Sequence, residues 1–125
     1  MECGLIGLQG VGKTTLFQAL TAHAVPVRVG AMKPNVGVAA IPDPRLDHIA
    51  TFIPPEKIIP ATVQVVDIPG VPSGGGASNL NQVLAHIRTV DALVHVVDCW
   101  QGGDVASSIS SMDTELILAD MVVAE

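Results

Sequence analysis

Tyrosine is absent from this chain, and the other aromatic residues are only two phenylalanines and one tryptophan in 125 residues. A core so poor in aromatics has to be built from Val, Ile, Leu and Ala, the composition of a buried parallel sheet with helices laid over it. Cysteine is scarce too. Cys3 and Cys99 stand alone, which excludes a disulfide scaffold and makes the reducing cytoplasm the expected compartment. Basic side chains are few: six Lys and Arg against twelve Asp and Glu give a net charge of −6. That balance excludes a domain that grips bare nucleic acid, in a sequence-specific way or otherwise, through its own surface charge. No apolar run approaches the ~20 residues of a membrane-spanning helix, so no membrane partner is expected. The opening "MECGLIGLQG" lacks a basic leader followed by a long apolar region, and no signal peptide is predicted.

What is present is apolar and orderly. Hydrophobic residues make up 49% of the chain, enough for one domain with a real core. "CGLIGL" reads as a buried strand, and "KTTLFQALTAH" as a helix with Leu16, Phe17 and Leu20 on its apolar side. "NVGVAAI" is a second strand. In "PDPRLDHIATFIPP" Asp43 is placed as an N-cap with Pro44 at the first helical position. Leu46, Ile49, Ala50 and Ile53 form its stripe, and Pro54 and Pro55 stop it. "ATVQVVDI" is a third strand ending at Asp67, "PGVPSGGGASN" a glycine-rich loop, "LNQVLAHIRTV" a helix and "DALVHVVDCW" a fourth strand. "QGGDVASSISSM" reads as a polar linker, and Asp113 as the cap of a last helix. Alternating strands and helices argue for a layered α/β sheet.

One stretch carries chemistry outright. Residues 7–15, "GLQGVGKTT", contain G-x-x-x-x-G-K-[ST] between a predicted strand and a predicted helix. Gly10 and Gly12 let the backbone turn its N–H groups around an anion, and the helix beginning near Lys13 adds its positive end. The predicted nucleotide-binding set is Gly7, Gly10, Val11, Gly12, Lys13, Thr14 and Thr15. Lys13 would neutralise the β- and γ-phosphates and Thr14 would ligate Mg²⁺. "DIPG", at the end of the third strand, supplies the second half. Asp67 would hold the metal and Gly70 would offer its N–H to a γ-phosphate. By itself D-x-x-G is often only a turn; its place some fifty residues beyond the phosphate loop gives it weight.

With those residues in hand the chain resembles the YchF/Obg-like ATPase family, within the Obg-type P-loop NTPases. The carrying stretches are "GLQGVGKTTLFQALT", "KPNVGVAAIPDPRLD", "VQVVDIPGV", "LAHIRTVDALVHVVDC" and "TELILADM". The resemblance implies a three-layer, G-domain-like P-loop NTPase fold with a mostly parallel sheet. It also implies an ATP- or GTP-hydrolysing switch that uses Mg²⁺ and can associate with ribosomes. It places a hydrophobic residue where many GTPases carry a water-orienting glutamine, and Val71 stands there. Three departures are evident. Gly10 replaces the family's usual Asn. Ala31 occupies the place of a metal-ligating Thr. The family's base-specificity motif, coiled-coil insertion and C-terminal β-grasp domain have no counterpart here. The expected organisation is a C-terminally truncated G domain over 1–112, with 113–125 starting a helix toward the coiled coil.

The remaining residues weigh less. Asp98 is expected in a strand-end turn, His95 as a core histidine, and His23, His48 and His86 as surface groups without metal spacing. Cys3 and Cys99 fall at opposite ends of neighbouring parallel strands, beyond the ~7 Å Cα separation a disulfide tolerates, so two free thiols are expected. Gly74–Gly76 read as a switch hinge or as a plain linker. Lys33, Arg45, Lys57 and Arg88 read as solvated charges, and Arg28 reads as an ordinary loop arginine or as one that approaches phosphate as an arginine finger does. The function expected is Mg²⁺-dependent binding and slow hydrolysis of ATP or GTP, with Lys13 and Gly70 acting on the transferred phosphate. The alternatives are a nucleotide-binding module that does not hydrolyse, or a truncated fragment.

Overall fold

The computed structural model describes residues 1–28, 33–70 and 77–124, with residues 77–80 placed by backbone alone. The elements alternate as read: β1 (Glu2–Ile6), α1 (Lys13–Leu20), β2 (Asn35–Ala40), α2 (Pro44–Phe52), β3 (Thr62–Asp67), α3 (Ala77–Ile87), β4 (Ala92–His95) and α4 (Val105–Ala124). The strands form one sheet in the order β2-β3-β1-β4. β1 lies parallel to both β3 and β4, while β2 runs antiparallel to β3 with Asn35 opposite Asp67. The sheet is thus mostly parallel.

Two apolar clusters sit on its two faces, because successive strand residues point to opposite sides. Leu5 and Val65 join Phe17 of α1, with Val25, Val27 and Ala39 packed around them. Ile6 and Val66 join Ile68, Val83 of α3 and Met112 of α4, with Ile87, Val90 and Leu116 against them. Helix, sheet, helix is the three-layer arrangement expected. β1 and β3 become fully buried toward their C-terminal ends, so the core anchors the strand ends from which the site loops leave.

Several boundaries differ from the sequence reading. α4 begins at Val105, so most of "QGGDVASSISSM" is helical and Asp113 lies inside the helix rather than capping it. The reason is partly local and partly tertiary. Asp104 receives the Ala106 N–H on its carboxylate and starts the helix, and burial of Met112 holds down a turn that its serines would leave loose. The expected division at 112/113 therefore falls within one continuous helix. β4 is shorter than read. It ends at His95, which is half-buried, and Asp98 closes a turn beyond it by accepting N–H bonds from Trp100 and Gln101. At α2 the cap is as read, with Asp43 accepting the Arg45 N–H, and the Arg45 guanidinium beside it holds the Asp43 carboxyl below the usual range. Its expected stripe is not a buried one: no residue of α2 is buried, and Ile49 and Ile53 are exposed. The two thiols are free, as expected. Ala31, Val71 and Gly74–Gly76 lie outside the described residues. Among the described residues no helix is long and apolar enough to cross a membrane.

Candidate functional site

β1 ends at Ile6 and α1 begins at Lys13, so six residues turn the chain from the sheet into the helix. Gly10 and Gly12 take φ of 86° and 89°, a backbone that side-chain-bearing residues rarely adopt. Gly12 is the N-cap of α1 and brings no side chain to the orphan N–H groups there; the first turn holds no acidic residue either. The helix start is therefore left open to an external anion.

Gly7 has a different task. A Cβ at this position would lie 2.6 Å from the backbone oxygen of Val96, so β1 and the segment after β4 approach closely only because Gly7 has none. Gly7→Ala is expected to cost about 1–3 kcal/mol, as overpacking does, read as a lower urea midpoint. An unchanged midpoint would remove this account of Gly7.

Asp67 is the centre of the site. It is buried at the end of β3. The Lys13 ammonium donates to its Oδ1 at 2.7 Å, and the Thr14 hydroxyl to its Oδ2 at 2.8 Å. The Asn35 amide donates to the same Oδ2 at 3.2 Å. One carboxylate thus gathers the phosphate-loop lysine, the following threonine and a residue of β2. Lys13 is itself buried, 7% exposed, and this ion pair keeps its charge compensated. Gly70 backs onto the phosphate loop, since a Cβ there would approach Gln9 Cα to 3.1 Å.

The cavity in front of this network is about 510 Å³, with Gly10, Gly12, Lys13, Thr14, Thr15, Asp67 and Gly70 among its lining. Of the residues singled out in the sequence, the structure brings these to one place. Gly7 and Val11 do not line the cavity: Gly7 packs against Val96, and Val11 is buried. Sequence reasoning missed Asn35 as a site residue. The signal for it was the antiparallel pairing of Asn35 with Asp67, and strand register between distant segments is not readable from either segment alone. Arg28 and Lys33, both exposed as expected of solvated charges, also line the cavity.

The hydroxyl of Thr14 and the carboxylate of Asp67 are oxygen donors of the kind Mg²⁺ prefers. They already meet beside the phosphate loop, so the residues present fit that ion. Among the described residues no cluster of three His, Cys, Asp or Glu competes as a metal site.

A glycine loop from a buried strand into a helix, with a lysine, a threonine and a strand-end aspartate around one cavity, defines a P-loop nucleotide-binding domain. Comparison with known proteins narrows the class. Residues 2–123 match the family described as 50S ribosome-binding GTPase, and the chain belongs to that family. It is 40% identical over 134 residues to the ribosome-binding ATPase YchF of Pasteurella multocida, covering 96% of this chain and 37% of that protein. Against YchF of Escherichia coli O157:H7 the identity is 38% over 138 residues, covering 99% of this chain and 38% of the relative. Its structure is similar to that of the Schizosaccharomyces pombe YchF GTPase, with a TM-score of 0.67 at 25% identity over 96% of this chain and 36% of that one. The similarity is to the N-terminal G-domain portion of YchF. The chain spans a little over a third of the length of these relatives.

Proposed function

We propose that this chain binds a nucleoside triphosphate together with Mg²⁺ and hydrolyses it slowly. The observation that carries the reading is the convergence of Lys13, Thr14 and Asp67 beside two left-handed glycines. On binding, Lys13 leaves Asp67 and turns its ammonium to the β- and γ-phosphates. The backbone N–H groups around Gly10 and Gly12 point at the same oxygens. The Thr14 hydroxyl and the Asp67 carboxylate would hold the metal. Mg²⁺, when bound, draws off phosphate charge and lowers the electrostatic barrier to in-line attack by water. Gly70 brings a backbone N–H toward the γ-phosphate. Catalysis is then largely positioning and charge stabilisation. The residue after Gly70 is Val71, which cannot orient the attacking water, so the reading is slow turnover. The same substitution favours, as a second reading, a module that binds nucleotide without hydrolysing it.

The relatives are named as ribosome-binding ATPases, and the switch role proposed here is the nucleotide-handling part of such a protein, acting in the cytoplasm. With a net charge of −6, ribosome contact is assigned to segments other than this domain's own surface.

A thermal-shift titration with ATP and with GTP, each with and without Mg²⁺, tests the binding step. A ligand that binds only the folded state stabilises it by about 2.7 kcal/mol at roughly 100 times its dissociation constant. A Mg²⁺-dependent shift is expected, and the nucleotide with the larger shift identifies the base. A cooperative melt that neither nucleotide moves would overturn the proposal. Single-turnover phosphate release separates hydrolysis from binding alone, and a rate as fast as a fully activated GTPase would contradict slow turnover.

A further inference from the structure

The chain is acidic, yet half of its six basic residues line one cavity. Lys13, Arg28 and Lys33 border it against the single carboxylate of Asp67. Lys13 is committed to Asp67. Among the described residues the side chains of Arg28 and Lys33 make no hydrogen bond or salt bridge; Arg28 takes part only through its backbone N–H. The cavity thus holds more cationic charge than its own residues neutralise, which suits a polyanionic ligand.

Arg28 is also tied to the centre of the site. Its N–H donates to Oδ1 of Asn35 at 3.2 Å, and Nδ2 of the same amide donates to Asp67 at 3.2 Å. The orientation of that amide is dictated by its neighbours. An ionised carboxylate only accepts, so the NH₂ must face Asp67 and the carbonyl oxygen must face the Arg28 N–H. Asn35 sits opposite Asp67 in the β2–β3 register, so the sheet fixes where the amide stands. Asn35 therefore clips the residue that carries the guanidinium to the carboxylate that holds Lys13. Gly10 and Gly70, whose backbone is proposed to meet the γ-phosphate, line the same cavity as Arg28.

We propose that Arg28 is a cation supplied from within the chain to the terminal phosphate of the bound nucleotide, and that Asn35 is the positioning residue that holds it there and couples it to Asp67. The inference rests on the nucleotide-binding reading of this site and adds a residue set to it. A guanidinium on the terminal phosphate recognises the triphosphate over the diphosphate and stabilises charge as the bond to the leaving oxygen breaks. In sequence the chain has no glutamine after Gly70 and an alanine, Ala31, in place of a threonine, so a cation from Arg28 would supply charge that those residue types cannot.

The test compares ATPγS with ADP, and GTPγS with GDP, in the presence of Mg²⁺, by calorimetry on the unaltered chain and on Arg28→Ala, Arg28→Lys, Asn35→Ala and the Arg28→Ala/Asn35→Ala double variant. Arg28→Ala is expected to weaken the triphosphate analogue about tenfold or more, the size of one lost charged hydrogen bond, with diphosphate affinity unchanged. It also slows single-turnover phosphate release. Arg28→Lys restores affinity in part. Asn35→Ala lowers the triphosphate-to-diphosphate affinity ratio in the same direction, and the double variant is no worse than Arg28→Ala on that ratio, because Asn35 acts through Arg28. If Asn35 is only structural, its variant melts earlier with the ratio unchanged, and its positioning role is overturned. If the unaltered chain binds both nucleotides while Arg28→Ala leaves ratio and rate unchanged, the inference fails and the nucleotide-binding reading stands. If the unaltered chain binds neither nucleotide, both fail.

Discussion

Asp67→Ala is expected to destabilise the fold by about 3–5 kcal/mol, the cost of removing one partner of a buried ion pair. The Lys13 and Asp67 side chains are only 8% and 3% exposed, so the pair is largely desolvated as it stands. The truncation strands the Lys13 ammonium, and it also takes the acceptor from the Thr14 hydroxyl and the Asn35 amide. Small domains are stable by only about 5–15 kcal/mol, so the loss is a large part of the total. Urea unfolding measures it. Asp67→Asn, which keeps an acceptor oxygen, is expected to cost less. Lys13→Met combined with Asp67→Leu should recover much of the stability, because neither charge is then left alone; it should not recover nucleotide binding. An Asp67→Ala variant within about 1 kcal/mol of the unaltered chain would mean that the pair is not desolvated as the structure places it.

Lys13→Ala should have the largest effect on ligand binding. Lys13 is the one cation that reaches the cavity from the first turn of α1, where helix start and glycine loop already favour an anion. Losing one charge-assisted hydrogen bond to phosphate costs about 1.5–3 kcal/mol, which is roughly 10- to 150-fold in affinity. The variant also leaves Asp67 buried without its counter-charge, so part of any fall in thermal stability is unrelated to ligand. The comparison that isolates binding is the nucleotide-induced shift, measured on each variant relative to its own unliganded melt. A Mg²⁺-dependent shift is expected for the unaltered chain, with little or none for Lys13→Ala at the same nucleotide concentration. An undiminished shift would place the phosphate elsewhere than the glycine loop. Because Lys13 is held by Asp67 at 2.7 Å, nucleotide binding has to exchange one partner for another, and both predictions probe that exchange from opposite sides.

The chain itself, read residue by residue, determined the class of this protein. Gly10, Gly12, Lys13 and Thr14 sit within five consecutive positions, so the local backbone alone decides whether a phosphate cradle can form. The alternation of strands and helices was legible for the same reason, since apolar periodicity is a property of neighbouring residues. So was the cap at Asp43. What depended on distant contacts was not legible. α4 runs on through its serine-rich start because Met112 finds a core to enter. β4 stops at His95, while Val96 still donates its N–H to Ile6. α2 shows a helical stripe that no layer of the described fold buries.

The site divides along the same line. The sequence by itself carried the glycine-lysine-threonine motif and pointed to Asp67 and Gly70 as its expected counterparts, because those chemistries are carried by short motifs. Only the tertiary structure decided that Asp67 is held by Lys13, Thr14 and Asn35 at once, that Gly7 is a packing position, and that Arg28 and Lys33 face the same cavity. The physical reason is sequence separation: Lys13 and Asp67 are 54 residues apart, and the pairing of β1 and β2 with β3 brings together groups that no local pattern relates.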